Sequence, residues 1–295
     1  MLSGVFPIVA MPFRADGSPD LRDLAAVVEF IVAAGADGVV FPGVASEFET
    51  LSPDERRELV DVVAQANGKR AALVIGVSAV NAKDAARYAV QAHALGAAAV
   101  MAVAPPSMRE DAAAQVDYYR AIAATGMTII LQNAPAPAGC GFSPERIAQI
   151  VGDVPQIAYA KEETLPCGQR ISRLLELIPS LRGVFGGAGG RYITDELARG
   201  ACGTMPACEL TDLHVRQFGA HRAGKAAEVR RLYSRMLPLL NFQAVFRMAM
   251  TKEVLRRRGV ITSTFVRAAG PRMDAGDLRE LDALLSEIDL PPVAA

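Results

Sequence analysis

The chain is short of the features that mark several functional classes. Positive and negative charges nearly cancel, 31 Lys and Arg against 32 Asp and Glu, for a net charge of −1. That balance leaves no basic footprint for nucleic acid and no polybasic patch for a membrane surface. Apolar runs are interrupted well before the roughly 18 residues that span a bilayer. The N-terminal MLSGVFPIVAMPF has no basic lead and carries two prolines, which argues against a signal peptide. The four cysteines, Cys140, Cys167, Cys202 and Cys208, form no CxxC and no regular spacing. They are expected as small buried side chains in a reducing compartment, with a cytoplasmic location as the default. Histidine is scarce too: His93, His214 and His221, the last two seven apart on a probable helix. A paired ligand needs an i, i+4 spacing, so no metal and no cofactor are expected.

What the chain has in quantity is alternation. Branched apolar runs at 5–13, 38–43, 71–78, 98–106, 127–133, 157–163, 182–187 and 203–209 read as strands. Between them, amphipathic stretches near 20–34, 53–66, 81–95, 111–125, 144–151, 167–178, 191–199 and 211–223 read as helices. Ser52-Pro53-Asp54-Glu55 combines a capping box with proline at the first helical position. Gly35, Gly68, Gly96 and Gly126 stand where helices end. A doubly wound sheet would usually carry a glycine fingerprint after its first strand; Pro12-Phe13-Arg14 stands there instead. The expected fold is therefore α/β, a (β/α)8 TIM barrel over residues 1–224. Residues 225–295 read as a C-terminal helical extension packed on the barrel, too small for an independent domain.

In such a barrel chemistry lies at the C-terminal ends of the strands. Those ends read Gly43-Val44-Ala45-Ser46-Glu47, Gln132-Asn133-Ala134-Pro135, Ala160-Lys161-Glu162-Glu163 and Gly186-Gly187-Ala188-Gly189-Gly190-Arg191. Lys161 follows the apolar IAYA, so its stem starts inside the barrel. It either snorkels out to Glu162 or Glu163, or serves as a desolvated amine that attacks a carbonyl and forms a Schiff base. Gln132 and Asn133 are amides at a strand end, either stitching a loop or facing a substrate. The Gly43–Glu47 loop, with the Ala45 and Ser46 backbone and the Ser46 hydroxyl, suits a small carboxylate or is an ordinary turn. The glycines from Gly186 allow close approach of backbone to a substrate, a phosphate cradle or plain turn geometry.

With these residues placed, the chain resembles the dihydrodipicolinate synthase/N-acetylneuraminate lyase family over essentially its whole length. The resemblance rests on GVFPIVAMPF, GVASE followed by ETLSPDER, NAP after strand five and YAKEE on strand six. It implies a metal-independent Schiff-base barrel acting on a 2-oxo acid, with Lys161 as the Schiff-base lysine and Met205 as a backbone position near the substrate. It further implies a homo-oligomer, a dimer or tetramer. Most members have tyrosine where Gln132 stands; a second relay tyrosine is missing from Pro105-Pro106-Ser107, and a carboxylate-binding arginine from the neighbourhood of Pro137. These departures resemble the L-2-keto-3-deoxyarabonate dehydratase branch, which has Gln at that position and a glutamate placed like Glu163. The implied reaction is dehydration of a 2-keto-3-deoxy sugar acid. Gln132 orients, since an amide is neither acid nor base at neutral pH, and Glu163 or Ser46 transfers the proton. Glu163 is alternatively a charge partner of Lys161 or Arg191. The rival readings are a pyruvate-dependent aldolase or a 4-hydroxy-tetrahydrodipicolinate synthase-like enzyme and, more remotely, a non-catalytic small-molecule-binding barrel.

Overall fold

The computed structural model describes residues 1–288 and residue 290; the end of the expected extension, residues 289 and 291–295, lies outside the described residues. Eight parallel strands alternate with eight helices. The strands are β1 (Gly4–Val5), β2 (Gly38–Phe41), β3 (Ala72–Gly76), β4 (Ala99–Ala102), β5 (Ile129–Asn133), β6 (Ile157–Glu162), β7 (Gly183–Gly186) and β8 (Gly203–Thr204). The helices are α1 (Leu21–Ala33), α2 (Pro53–Asn67), α3 (Ala82–Ala94), α4 (Ala112–Ala123), α5 (Pro144–Asp153), α6 (Cys167–Leu177), α7 (Ile193–Ala198) and α8 (Thr211–Arg222). Each strand pairs with its sequence neighbour, β1 pairs with β8, and Ile8 bridges both Val40 and Ala207, so the sheet closes on itself. This is the expected (β/α)8 barrel.

The strands are shorter than the apolar runs that carry them. In the first run Pro7 and Pro12 lack an N–H, so the ladder stops early although residues 4–13 stay buried. The predicted cap of α2 is in place: Ser52 Oγ accepts from the Glu55 N–H, and the Glu55 carboxylate accepts from the Ser52 N–H.

Two apolar layers follow from the two-residue period of the strands. Phe6, Ile8, Val40, Val74, Met101, Ile130, Tyr159, Phe185 and Met205 fill the barrel interior. Ile129, Leu131, Ala160 and Val184 belong to the larger layer between strands and helices. The alternation fixes the rim: one step beyond Leu131, Gln132 turns inward and Asn133 outward, and beyond Ala160, Lys161 turns inward and Glu162 outward. The register aligns these pairs, Gln132 with Lys161 and Asn133 with Glu162.

The extension consists of α9 (Ala226–Phe246), α10 (Met248–Arg257) and α11 (Ala275–Ser286). Met236, Leu239, Leu240, Met250, Val254 and Leu281 pack with Leu210 and Leu213 in a separate apolar cluster against α8. No helix among the described residues is long and apolar enough to cross a membrane.

Candidate active site

Lys161 is 4% exposed, and its Nζ lies 3.1 Å from Glu163 Oε1. The Gln132 amide donates to the other oxygen of the same carboxylate at 2.6 Å, and the Ala188 N–H donates to Oε1 at 3.3 Å. Three groups from three strand ends thus converge on Glu163. Burial pushes its carboxyl up, but the Lys161 ammonium, the Gln132 amide and the Ala188 N–H outweigh this and hold it below the usual carboxylate value. Lys161 does not snorkel to bulk water; it ends on this carboxylate.

Gly187 makes the arrangement possible. A Cβ there would stand 2.4 Å from Glu163 Cγ, so any side chain would displace the carboxylate. Ala188 adopts φ 48°, a left-handed conformation uncommon outside glycine, and so directs its N–H at Glu163.

The neighbouring polar residues point the other way and are satisfied there. Asn133 Nδ2 donates to both oxygens of Glu162 and to the Phe142 carbonyl, while its Oδ1 accepts from the Phe142 N–H at 2.8 Å. Glu162 is fully buried, takes the Thr164 N–H at 2.7 Å and faces Arg170 Nε at 3.3 Å. Burial raises its pKa by more than these partners lower it. Asn133 stitches the loop after β5, and Gln132 faces the Glu163 carboxylate.

The other sequence candidates are placed differently from one another. Ala45 packs against the barrel interior, and Met205 belongs to it. Ser46 is buried; its hydroxyl donates to the Val9 carbonyl at 2.5 Å and accepts from the Gly43 N–H at 3.0 Å. Its proton is therefore engaged by backbone. Gly186 lends its carbonyl to the Met205 N–H at 3.0 Å, and its bare Cα faces Glu196 of α7. Tyr159, the tyrosine of the interior, is at the opposite barrel end, where its hydroxyl accepts the Leu2 N–H at 2.8 Å.

Two elements escaped sequence reasoning. Glu47, at φ 55°, holds Lys252 at 2.5 Å and the Ala268 N–H at 2.7 Å, both from the extension. Lys252 is fully buried over the Phe13 ring, and burial lowers its pKa despite Glu47. This strut ties the extension to the Gly43–Glu47 loop from 205 residues away, a separation no local pattern reveals. Beside it a cavity of about 770 Å³ opens between residues 44–50 and 246–273, lined among others by Val44, Arg247 and Arg267. Arg267 is held by Glu55 at 2.7 Å, whereas Arg247 sits at the α9–α10 junction with φ 47°. Among the described residues, no three His, Cys, Asp or Glu side chains come together to hold a metal ion.

Residues 1–288 match the dihydrodipicolinate synthetase family. The L-2-keto-3-deoxyarabonate dehydratase of Azospirillum brasilense is 28% identical over 97% of this chain and 94% of that protein. The 4-hydroxy-tetrahydrodipicolinate synthase of Chlorobium chlorochromatii is 29% identical over 98% of each chain. In three dimensions the dihydrodipicolinate synthase of Rhodopseudomonas palustris superposes with a TM-score of 0.90 at 27% identity, covering 97% of this chain and 98% of that one. The full-length match, the closed barrel and the lysine inside its mouth make the chain a member of the dihydrodipicolinate synthetase family, metal-independent class I Schiff-base lyases acting on 2-oxo acids.

Proposed function

We propose that the chain makes or breaks the C3–C4 bond of a 2-oxo acid held as a Schiff base on Lys161, as a pyruvate-dependent aldolase or synthase-like enzyme. The observation that carries the lysine's role is its amine, buried inside the barrel mouth 3.1 Å from Glu163. The full-length similarity to synthases supports the carbon–carbon reaction.

Lys161 and Glu163 form an ion pair across which a proton can pass. While the amine is charged, Glu163 stays ionised beside it. When Glu163 takes that proton, the charge that lowered its pKa disappears and burial favours its neutral form. The neutral amine then attacks C2, and loss of water gives the iminium. The nitrogen is positive again, so Glu163 can return to its ionised form. As a carboxylate it removes the proton of the C4 hydroxyl; C3–C4 breaks, its electrons pass to the iminium, and C3 of the enamine is reprotonated. Hydrolysis of the imine releases pyruvate and the lysine. Gln132 keeps Glu163 oriented through its 2.6 Å bond. The substrate carboxylate is assigned to the Ala45 side of the loop, since the Ser46 N–H donates to the Gly43 carbonyl at 2.8 Å.

One observation favours a second reading, dehydration of a 2-keto-3-deoxy sugar acid. Gln132 occupies the inner end of β5 and is bound to Glu163, so no phenol mediates proton transfer there. The same iminium acidifies C3, Glu163 removes that proton, and the C4 hydroxyl leaves as water. Incubation with candidate 2-keto-3-deoxy sugar acids separates the two. Pyruvate with an aldehyde supports the carbon–carbon reaction; a semialdehyde retaining every carbon supports dehydration and overturns it.

A further inference from the structure

Three glutamates meet where β6 and β7 reach the rim. Glu163 is paired with Lys161, and Glu162 with Arg170. The third, Glu196 of α7, is fully buried, and among the described residues neither of its carboxyl oxygens has a hydrogen-bond partner. A buried carboxyl without partners is costly as an anion and far cheaper as a neutral acid.

Its place is set by two glycines. A Cβ on Gly186 would lie 2.0 Å from Glu196 Oε2, and one on Gly187 would lie 2.4 Å from Glu163 Cγ. Successive strand residues point to opposite faces, so the two glutamates press on one two-glycine step from its two sides. Neither glycine carries a side chain, which lets each carboxyl lie against the backbone of this step. A larger residue at either position would push one carboxyl away.

We propose that Glu196 is a positioning residue for Lys161: held as a neutral acid behind Gly186, it keeps a second negative charge off the Glu163 side of the amine, and its ionisation tightens the amine's hold on its proton. The role rests on the reading of Lys161 as the imine-forming residue. The groups facing Glu196 are Glu162 of β6 and Glu163 just beyond it, Asp195 of its own helix, Arg191, Cys167 of α6 and Tyr233 of α9. Burial, then Glu163, Asp195 and Glu162, push its carboxyl up to about 8, with Arg191 opposing. Asp195 is engaged by Arg199 at 2.8 Å. Above that pH, a new negative charge in the low-dielectric barrel wall disfavours ionised Glu163 and favours the Lys161 ammonium. Imine formation then gains less from alkaline pH than the amine alone would allow.

The test follows imine formation with pyruvate, trapped by cyanoborohydride, from about pH 6.5 to about pH 9.5 in the wild type and in Glu196→Gln. The expected rates agree within about twofold at the acid end, with the variant about threefold or more faster at the alkaline end. With the adduct present, superimposable profiles would overturn the role of Glu196 alone. No adduct in the wild type at any pH would overturn the reading of Lys161, and this one with it. A second measurement does not depend on whether Glu196→Gln folds. In wild-type protein carrying 13C-labelled glutamate carboxyls, one buried carboxyl should titrate near 8, and its midpoint should fall in Glu163→Gln. Absence of such a resonance, or no movement in the variant, contradicts the coupling.

Discussion

Gln132 and Asn133 are adjacent amides on one strand, and Lys161 and Glu162 are adjacent charges on the next, yet each pair divides between two different sites. On the outer face Asn133, Glu162 and Arg170 close a network around Phe142 and Thr164, with Asn133 bonded through both ends of its amide. On the inner face Gln132 and Lys161 both turn to the single carboxylate of Glu163. The outer set spends its polar groups on the loop; the inner set concentrates them on one buried ion pair. The same chemical types therefore join the loop network or the Glu163 carboxylate according to which face of the sheet they occupy.

The largest expected effect comes from removing the inner amine. Lys161→Met should abolish borohydride-trapped adducts and turnover while the circular dichroism stays native; residual adduct would place the nucleophile elsewhere. Next, Glu163→Gln should lower turnover by about 10²-fold or more, as loss of a positioned acid–base does. Glu162→Gln, one residue away, should leave turnover within a few-fold. Equal losses from the two would break the distinction between the faces. Asn133→Ala should act on stability, by about 2–3 kcal/mol in urea unfolding, because it strands buried partners; an unchanged midpoint would show that the outer network holds nothing together.

The smallest effect is in pH dependence, and it has opposite signs on the two faces. The folded pKa of Glu163 lies below the ordinary 4.5, so its contribution is fully present above that value and is lost as pH falls through the folded pKa. The folded pKa of Glu162 lies above 4.5, so its contribution is present below the ordinary value and is lost as pH rises through the folded pKa. The stability difference between wild type and Glu163→Gln should therefore grow as pH rises through the carboxylate range. The difference between wild type and Glu162→Gln should shrink. Parallel curves from denaturant titrations at several pH values would contradict the assignment of the two carboxyls.

Much of this was legible in the chain. The barrel followed from eight apolar runs with helical stretches between them, and the Ser52 cap from its own four residues. Lys161, Gln132 and Glu163 were visible as polar residues ending buried strands, and strand alternation alone separates Gln132 from Asn133. What stayed hidden depends on packing between distant segments. Gly187 reads as turn glycine until Glu163 is seen against it, and nothing local to Glu196 marks its place behind Gly186. The Lys252–Glu47 strut joins parts of the chain with no shared pattern. Ser46 looked free to serve a substrate because nothing local shows Val9 taking its proton.

The central claim, an imine on Lys161, is tested most directly on the wild-type protein. Pyruvate is added, the mixture is reduced with borohydride, and the digest is mapped by mass spectrometry. One reduced pyruvate adduct at Lys161 is the expected result; a folded protein with no adduct there would contradict it.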